Sequence, residues 1–353
     1  MSPKSFKILL TADFFDDQGQ TQFADIGLSE FANHSHIDHT PFAEHLPEIS
    51  ADQIGNAQGV LVMSPKVTHN TLANPDNLLV LSRFGVGYDT VDVDACTNAD
   101  VVLLITMGAV DRPVAEATVG WMIAITHHFR VKDQLVRTGK WDHRTQYNGC
   151  ELRDRTLGIV GLGGIGAAVV HLLQGFGMCP PIAYDPFCDP AVAEGLGVRL
   201  VELDELLKTA DFVSIHCPLT DGTRNLIDAE QLALMKSDAY LLNTARGGIV
   251  NEDALFTALQ NRQIAGAALD CFVGEPVTTP HRFGELDNTL LAPHSIAWTD
   301  ELFRDIGKMA CRGMIDLSLG KIPSGVVNKA VFEKDTFRKK WQRLTGIEPE
   351  LLT

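Results

Sequence analysis

No run of apolar residues in this 353-residue chain approaches the ~20 needed to cross a bilayer. The start, MSPKSFKILLTADFF, has only a short apolar patch before acids, which is not the pattern of a secretory leader. Paired cysteines are missing as well. The seven cysteines (Cys96, Cys150, Cys179, Cys188, Cys217, Cys271 and Cys311) are odd in number and contain no CxxC spacing, which points to reduced thiols in a cytoplasmic protein. Positive charge is scarce: 29 Lys and Arg stand against 45 Asp and Glu, a net charge of -16. That balance argues against nucleic acid and against an anionic membrane surface, while leaving room for a local basic pocket that takes one small anion. Internal repeats and low-complexity segments are absent too.

What is present is an α/β rhythm on a chain long enough for two domains. Short apolar runs at residues 7–10, 59–63, 78–82 and 101–105 read as strands, with room between them for crossover helices. Residues 114–130, apolar on most faces around Trp121, read as one long buried helix, and the polar stretch 138–154 as an arm or loop. A cleaner alternation follows, with strands expected at 156–160, 181–184, 212–216, 239–243, 267–269 and 290–291, which predicts a doubly wound parallel sheet. Residues 301–317 form a helix long enough to return to the first domain. The charged tail 332–353 reads as a peripheral helix with a loose end.

The strand at 156–160 runs into Gly161-Leu-Gly163-Gly164-Ile165-Gly166, and a helix rich in Ala, Val and Leu follows. A lone GxGxxG is weak evidence, but strand–loop–helix is the setting in which it binds a dinucleotide. Gly161 allows the tight turn, Gly163 lets backbone N–H groups approach the pyrophosphate, and Gly166 lets helix and strand pack closely. The helix amino terminus then presents its positive dipole end to the phosphates. Asp185 closes the next strand, where an acid accepts the adenosine ribose hydroxyls and repels a 2′-phosphate. No arginine follows it, so NAD is expected rather than NADP.

Downstream, Arg246, Glu275 and His294 fall at successive expected strand ends. Singly each has an ordinary reading as a surface charge, a turn residue or a loop histidine; together they converge on the crevice where a cofactor would lie. A 2-oxo acid carries a carboxylate and a polarisable carbonyl. Arg246 can bind both through its planar fork, and His294 can exchange a proton with the carbonyl oxygen as hydride moves at carbon. Glu275 can accept a hydrogen bond from the far histidine nitrogen, which fixes the tautomer and favours the imidazolium.

The chain resembles the D-isomer-specific 2-hydroxyacid dehydrogenase family over nearly its whole length. The matching stretches are SRFGVGYDTVDVDA (82–95), VAEATVG (114–120), RTLGIVGLGGIG (155–166), HCPLT (216–220), LLNTARGGIVNEDAL (241–255), GAALDCFVGEP (266–276) and APH (292–294). The resemblance implies an α/β architecture of two doubly wound parallel-sheet domains, Rossmann-like and flavodoxin-like. The substrate domain would be discontinuous (1–110 with 299–353) and the NAD-binding domain would be 111–298. It also implies that Arg246, Glu275 and His294 are catalytic, that Asp270 holds the nicotinamide carboxamide, and that Thr244 and Ala245 line the nicotinamide ribose. By the same resemblance Cys217 and Pro218 run along the adenosine side, and Val86 and Gly87 bind the substrate carboxylate through backbone N–H groups. Hinges are implied near 108–112 and 294–299, and a homodimer through the NAD-binding domain.

Departures from the family pattern put the substrate in question, not the reaction class. Thr106-Met107-Gly108 stands where many members have Thr-Pro-Gly, and Ser295-Ile296-Ala297-Trp298-Thr299 places a tryptophan, Trp298, on the expected pocket side or packed between domains. The histidines of 34–39, with His45, read as a solvated surface loop, so no metal site is expected. His127 and His128 read as a helix-end feature, His216 as a cofactor-edge residue, and Trp141 as a partner-subunit contact or local packing. The expected activity is hydride transfer between NAD and C2 of a small D-2-hydroxy or 2-oxo acid, of glyoxylate, hydroxypyruvate or sugar-acid type. D-3-phosphoglycerate and a non-catalytic NAD-sensing binding protein are the alternatives. Formate oxidation would call for glutamine at Glu275.

Overall fold

A computed structural model of the chain describes residues 3–349. They form two compact units: the chain up to Val110 together with the described residues from Thr299 onward, and Asp111–Trp298.

In the first unit, strands β1 (Phe6–Leu10), β2 (Ile37–Pro41), β3 (Gly59–Val62), β4 (Val80–Arg83) and β5 (Val102–Leu104) make a parallel sheet in the order β2-β1-β3-β4-β5. Central β3 is buried at every position, as a parallel strand covered on both faces must be. The edge strand β2, IDHTP, has no fully buried residue. Sequence reading places residues 34–39 in a loop; instead residues 37–41, His39 among them, pair with β1 in register Phe6↔Ile37, while His34 and His36 stand before the strand. The pairing is backbone driven, so polar side chains suffice at an edge. The helix Asp300–Ser318 starts at Thr299, whose hydroxyl accepts the Leu302 N–H at 3.0 Å, and buries Leu302, Phe303, Ile306, Met314 and Leu317 within this unit.

The helix Asp335–Thr345 is less peripheral than its charge suggests. Phe337, Trp341 and Leu344 recur at helical spacing and are buried, and the Trp341 indole N–H donates to the Leu317 carbonyl at 2.7 Å. The final residues of the expected loose end lie outside the described residues.

In the second unit, β6 (Leu157–Val160), β7 (Ile182–Tyr184), β8 (Arg199–Leu200), β9 (Phe212–Ile215), β10 (Tyr240–Asn243), β11 (Gly266–Leu269) and β12 (Thr289–Leu291) form a parallel sheet in the order β12-β11-β10-β9-β6-β7-β8. Strand order reverses between β6 and β9, so a crevice opens at their carboxyl ends. The long helix expected at 114–130 is Asp111–Thr126, and a second helix, Phe129–Arg137, follows it. His128 sits between them in the left-handed region at φ 55°, and the Thr126 hydroxyl turns back to the Met122 carbonyl. Thr126-His127-His128 interrupts the apolar pattern at this break, where sequence reading puts a helix-end feature. Residues 141–146 of the arm form a short exposed 3-10 turn, where the Arg144 guanidinium lies 5.4 Å from the centre of the Trp141 ring. No helix among the described residues is long and apolar enough to cross a membrane.

Candidate active site

The glycine loop joins β6 to the helix Gly164–Leu173. Gly161 has φ +95°, and a Cβ there would come within 2.6 Å of the Cys217 amide nitrogen. Only glycine tolerates that conformation and that approach. A Cβ on Gly166 would meet the Gly161 carbonyl at 2.6 Å, whereas one on Gly163 would meet nothing within 4 Å. The loop is therefore closed beneath and open above, and the first turn of the helix offers its unpaired N–H groups on that side. Ile165 lies in that first turn. Residues Cys217 and Pro218, just after β9, border the loop through the contact at Gly161. Burial pushes the Cys217 thiol up to about 11, so it is a neutral packing group here.

Asp185 follows β7. One of its oxygens accepts the Leu162 N–H of the glycine loop at 2.9 Å, and the other the Phe187 N–H at 2.9 Å. The carboxylate is thus oriented by two backbone donors and keeps lone pairs for a diol. Open space over Gly163 and an anchored acid at the next strand fit a dinucleotide with an unphosphorylated ribose.

The loops after β10, β11 and β12 bring together Arg246, Glu275 and His294. After β10, the buried Asn243 side chain shapes the turn: its Nδ2 donates to the Arg246 carbonyl at 2.8 Å and its Oδ1 accepts the Ala245 N–H at 3.0 Å. Thr244 Oγ1 lies 3.5 Å from Thr118 Oγ1 on the helix Asp111–Thr126, and the Arg246 guanidinium donates to the Ala245 carbonyl at 2.7 Å. After β11, Glu275 Oε1 accepts the Phe272 N–H at 2.6 Å, and Oε2 lies 2.7 Å from His294 Nδ1. Burial alone would push the Glu275 carboxyl up; hydrogen bonds from His294 and Phe272 N–H and the charges of His294 and Arg246 outweigh it and hold the group below the usual carboxylate range. His294 has φ 53°, and its Nε2 has no hydrogen-bond partner among the described residues. Its side chain is 43% exposed.

Asp270, 5% exposed, closes the arrangement. Its backbone carbonyl accepts the His294 N–H at 2.8 Å, and its Oδ1 accepts the N–H groups of Ser295 and Ile296 at 2.9 and 3.2 Å. Burial raises its carboxyl pKa, against the pull of those hydrogen bonds. The sequence reading gives Asp270 a cofactor contact; its hold on the histidine loop is visible only in the fold. Sequence reading misses Asn243, although its place three residues before Arg246 in a strand-end turn is a local signal for such a bond. It also misses Asp111, whose carboxylate covers Gly164 so closely that a Cβ there would lie 2.1 Å from an oxygen.

His216 does not join the trio. Its Nε2 lies 2.8 Å from Ser214 Oγ, its buried Nδ1 has no partner among the described residues, and burial pushes its pKa down to about 4, so it is neutral. Trp298 belongs to the same unit as the trio and is 56% exposed. Val86 and Gly87 lie in the first unit, in the loop after β4. There the Arg83 guanidinium donates to the Phe84 carbonyl and the Thr106 N–H donates to the Gly85 carbonyl at 3.0 Å. Met107 is in that unit too, 62% exposed.

A doubly wound sheet with a glycine loop at its switch point, an acid at the next strand end and a histidine–carboxylate pair two strands away describes a nucleotide-dependent oxidoreductase. Comparison with known proteins narrows this. The model of the D-isomer specific 2-hydroxyacid dehydrogenase NAD binding domain matches residues 119–295. The D-3-phosphoglycerate dehydrogenase of Methanocaldococcus jannaschii is 39% identical over 279 residues, covering 78% of this chain and 53% of that protein. A glyoxylate reductase of Thermofilum pendens is 37% identical over 276 residues, covering 77% and 81%. The solved glyoxylate reductase of Paecilomyes thermophila matches with a TM-score of 0.78 at 25% identity, covering 92% of this chain and 98% of that one. The chain spans about half the length of the phosphoglycerate dehydrogenase relative. It belongs to the D-isomer-specific 2-hydroxyacid dehydrogenase family, whose cofactor is NAD.

Proposed function

We propose that this protein interconverts a small 2-oxo acid and its D-2-hydroxy acid, of the glyoxylate, hydroxypyruvate or sugar-acid kind. The observation that carries the reading is the His294–Glu275 pair, with Nδ1 tied to the carboxylate and Nε2 left for a reacting oxygen. NAD, when bound, supplies or accepts the hydride. Gly161, Gly163, Gly164, Ile165 and Gly166 would receive its pyrophosphate, Asp185 its adenosine ribose, Cys217 and Pro218 the adenosine side, and Thr244, Ala245 and Asp270 the nicotinamide end.

Arg246 orients the substrate through its carboxylate and carbonyl oxygens, which the planar guanidinium matches in geometry and charge. His294 gives the carbonyl oxygen a proton in the reductive direction and takes it back in the oxidative one, while Glu275 stabilises the imidazolium. Val86 and Gly87 are proposed to meet the substrate carboxylate, and Trp298 to set the size of the group beyond C2. In this reading the unit holding Val86 and Gly87 is the substrate domain and Asp111–Trp298 the NAD-binding domain. Homodimerisation through the latter is favoured by apolar side chains that it leaves exposed, Phe129 and Val136 on the helix Phe129–Arg137 and Trp141 in the arm. A cytoplasmic location is favoured by cysteines that form no disulfide.

The test is NADH absorbance with a panel of 2-oxo acids, repeated with NADPH. Turnover of glyoxylate or hydroxypyruvate with NADH supports the reading; no turnover of any member would favour the NAD-sensing alternative, and equal rates with NADPH would remove the role given to Asp185. D-3-phosphoglycerate is kept as the second substrate reading because the Methanocaldococcus relative carries that name, with Lys66 and Arg83 as the cations that could meet its phosphate.

A further inference from the structure

The loop that carries Glu275 also carries a thiol. Cys271 follows β11 directly, is 3% exposed, and donates to the Ala245 carbonyl at 3.4 Å. Its Sγ, a Glu275 carboxylate oxygen and a His294 ring nitrogen all lie within 4.8 Å of one another. Thiolate, carboxylate and imidazole are the donors that zinc takes, and three protein ligands with one open position are what a non-structural zinc site has. We propose that Cys271, Glu275 and His294 bind a thiophilic divalent cation, zinc or its like, and that the bound ion switches the enzyme off.

The geometry favours this over a chance cluster on three counts. Two ligands come from one short turn, residues 271–275, which Glu275 Oε1 clasps through the Phe272 N–H while Oε2 remains on the histidine side. The third comes from the neighbouring loop, docked by the His294 N–H on the Asp270 carbonyl at 2.8 Å and by the two N–H groups on Asp270 Oδ1. The three donors are therefore positioned by backbone contacts that metal binding leaves in place. Finally, tetrahedral zinc with bonds of about 2.0–2.3 Å needs ligand atoms roughly 3.3–3.6 Å apart. The nitrogen–oxygen pair at 2.7 Å must open by roughly 0.6 Å and the sulfur must close by up to roughly 1.5 Å, shifts within the reach of side-chain torsions.

The chemistry balances. The Cys271 thiol proton leaves to solvent, and the His294 Nδ1 proton leaves with it from the imidazolium or moves to Nε2 from the neutral ring; either way a neutral imidazole, a thiolate and a carboxylate remain, and the two anions match the charge of the ion. The Arg246 guanidinium, whose charge acts on Glu275, opposes the ion. A single guanidinium does not outweigh a thiolate and a carboxylate. A metal on Nδ1 removes the hydrogen bond by which Glu275 supports the imidazolium, so acid–base chemistry stops. The binding claim stands on the three residues alone; the inhibitory consequence rests on the proposed dehydrogenase function.

Cobalt(II) titrated into the reduced, metal-free full chain tests the binding, because thiolate ligation gives a near-ultraviolet charge-transfer band. The expected result is a saturable band at one equivalent, displaced by zinc and unaffected by magnesium. Cys271→Ser should abolish the band, His294→Gln should weaken cobalt binding by ~10–100-fold, at least what loss of an outer-shell partner costs, and Cys179→Ser should leave both unchanged. No band in the wild type, or a band that survives Cys271→Ser, overturns the site. Should Cys271→Ser not fold, the His294→Gln arm decides, since that side chain is 43% exposed and little packing depends on it.

In the activity assay, zinc should inhibit the wild type reversibly by chelator, and the half-inhibitory concentration should rise at least ~10-fold in Cys271→Ser. Equal inhibition of both overturns the switch. A chain that ligates cobalt at these residues yet reduces no 2-oxo acid in metal-free buffer keeps the site and sinks the functional reading instead.

Discussion

His294 and Glu275 meet at 2.7 Å between Nδ1 and Oε2, while the other Glu275 oxygen takes the Phe272 N–H. The carboxylate is held from its own turn and spends its free oxygen on the imidazole. That division sets which histidine nitrogen remains for a substrate, and it gives the first expected outcome. His294→Ala should lower kcat with 2-oxo acids by ~10²–10⁴, the usual worth of a positioned general acid. Nucleotide affinity, read by quenching of protein fluorescence, should hardly move, because the glycine loop and Asp185 lie on other strands. Unchanged turnover would remove the acid–base role.

Glu275 carries a pH signature. Its folded pKa lies below the reference value of 4.5. The stability it contributes is therefore present above the unfolded pKa and is lost as pH falls through the folded one. Glu275→Gln should flatten the acid limb of a Tm-against-pH curve relative to wild type, with the two curves parallel near neutrality. A variant curve that still falls as steeply in acid would assign that limb to other carboxylates.

Asp270 is tested by two substitutions with opposite expectations. Asp270→Leu strips the acceptor from the Ser295 and Ile296 N–H groups and should cost about 1–3 kcal/mol, together with a fall in kcat as the His294 loop loosens. Asp270→Asn keeps an acceptor. Burial raises this carboxyl, so its charge is a cost that grows as pH rises through the folded pKa. The asparagine variant should accordingly match or exceed the wild-type Tm at neutral pH. A leucine variant as stable as the asparagine one would show that the anchor carries no weight.

Trp341 reports on the first unit alone. It is 1% exposed, packs against Phe332 and Phe337, and donates to the Leu317 carbonyl. Trp341→Ala should cost about 3–5 kcal/mol by denaturant unfolding. Trp341→Phe should lose mainly the hydrogen bond, about 0.5–1.5 kcal/mol. If the alanine variant lost less than the phenylalanine one, the helix would indeed be peripheral.

The parts of this protein that sequence made legible are those whose signal is local. The β6–glycine loop–helix unit is one, because a turn at φ +95° and a contact at Gly166 admit almost no residue but glycine. The buried strands are another, since parallel strands covered on both faces must be apolar throughout. Features set by a distant partner stayed hidden. IDHTP becomes β2 because β1 offers its backbone, and nothing in its own composition asks for a strand. DTFRKKWQRLT likewise conceals a buried aromatic face among its charges.

The same division runs through the site. Residue type and order alone determined that a cation, a carboxylate and an imidazole follow a dinucleotide loop, because each chemical task admits few side chains. Tertiary structure decided the rest: that Asn243 shapes the Arg246 turn, that Asp270 ties down the His294 loop, and that the Cys271 thiol stands beside the acid–base pair. Those relations arise where three parallel strands end side by side, and hydrogen-bond geometry across neighbouring loops has no periodicity that a linear sequence can display.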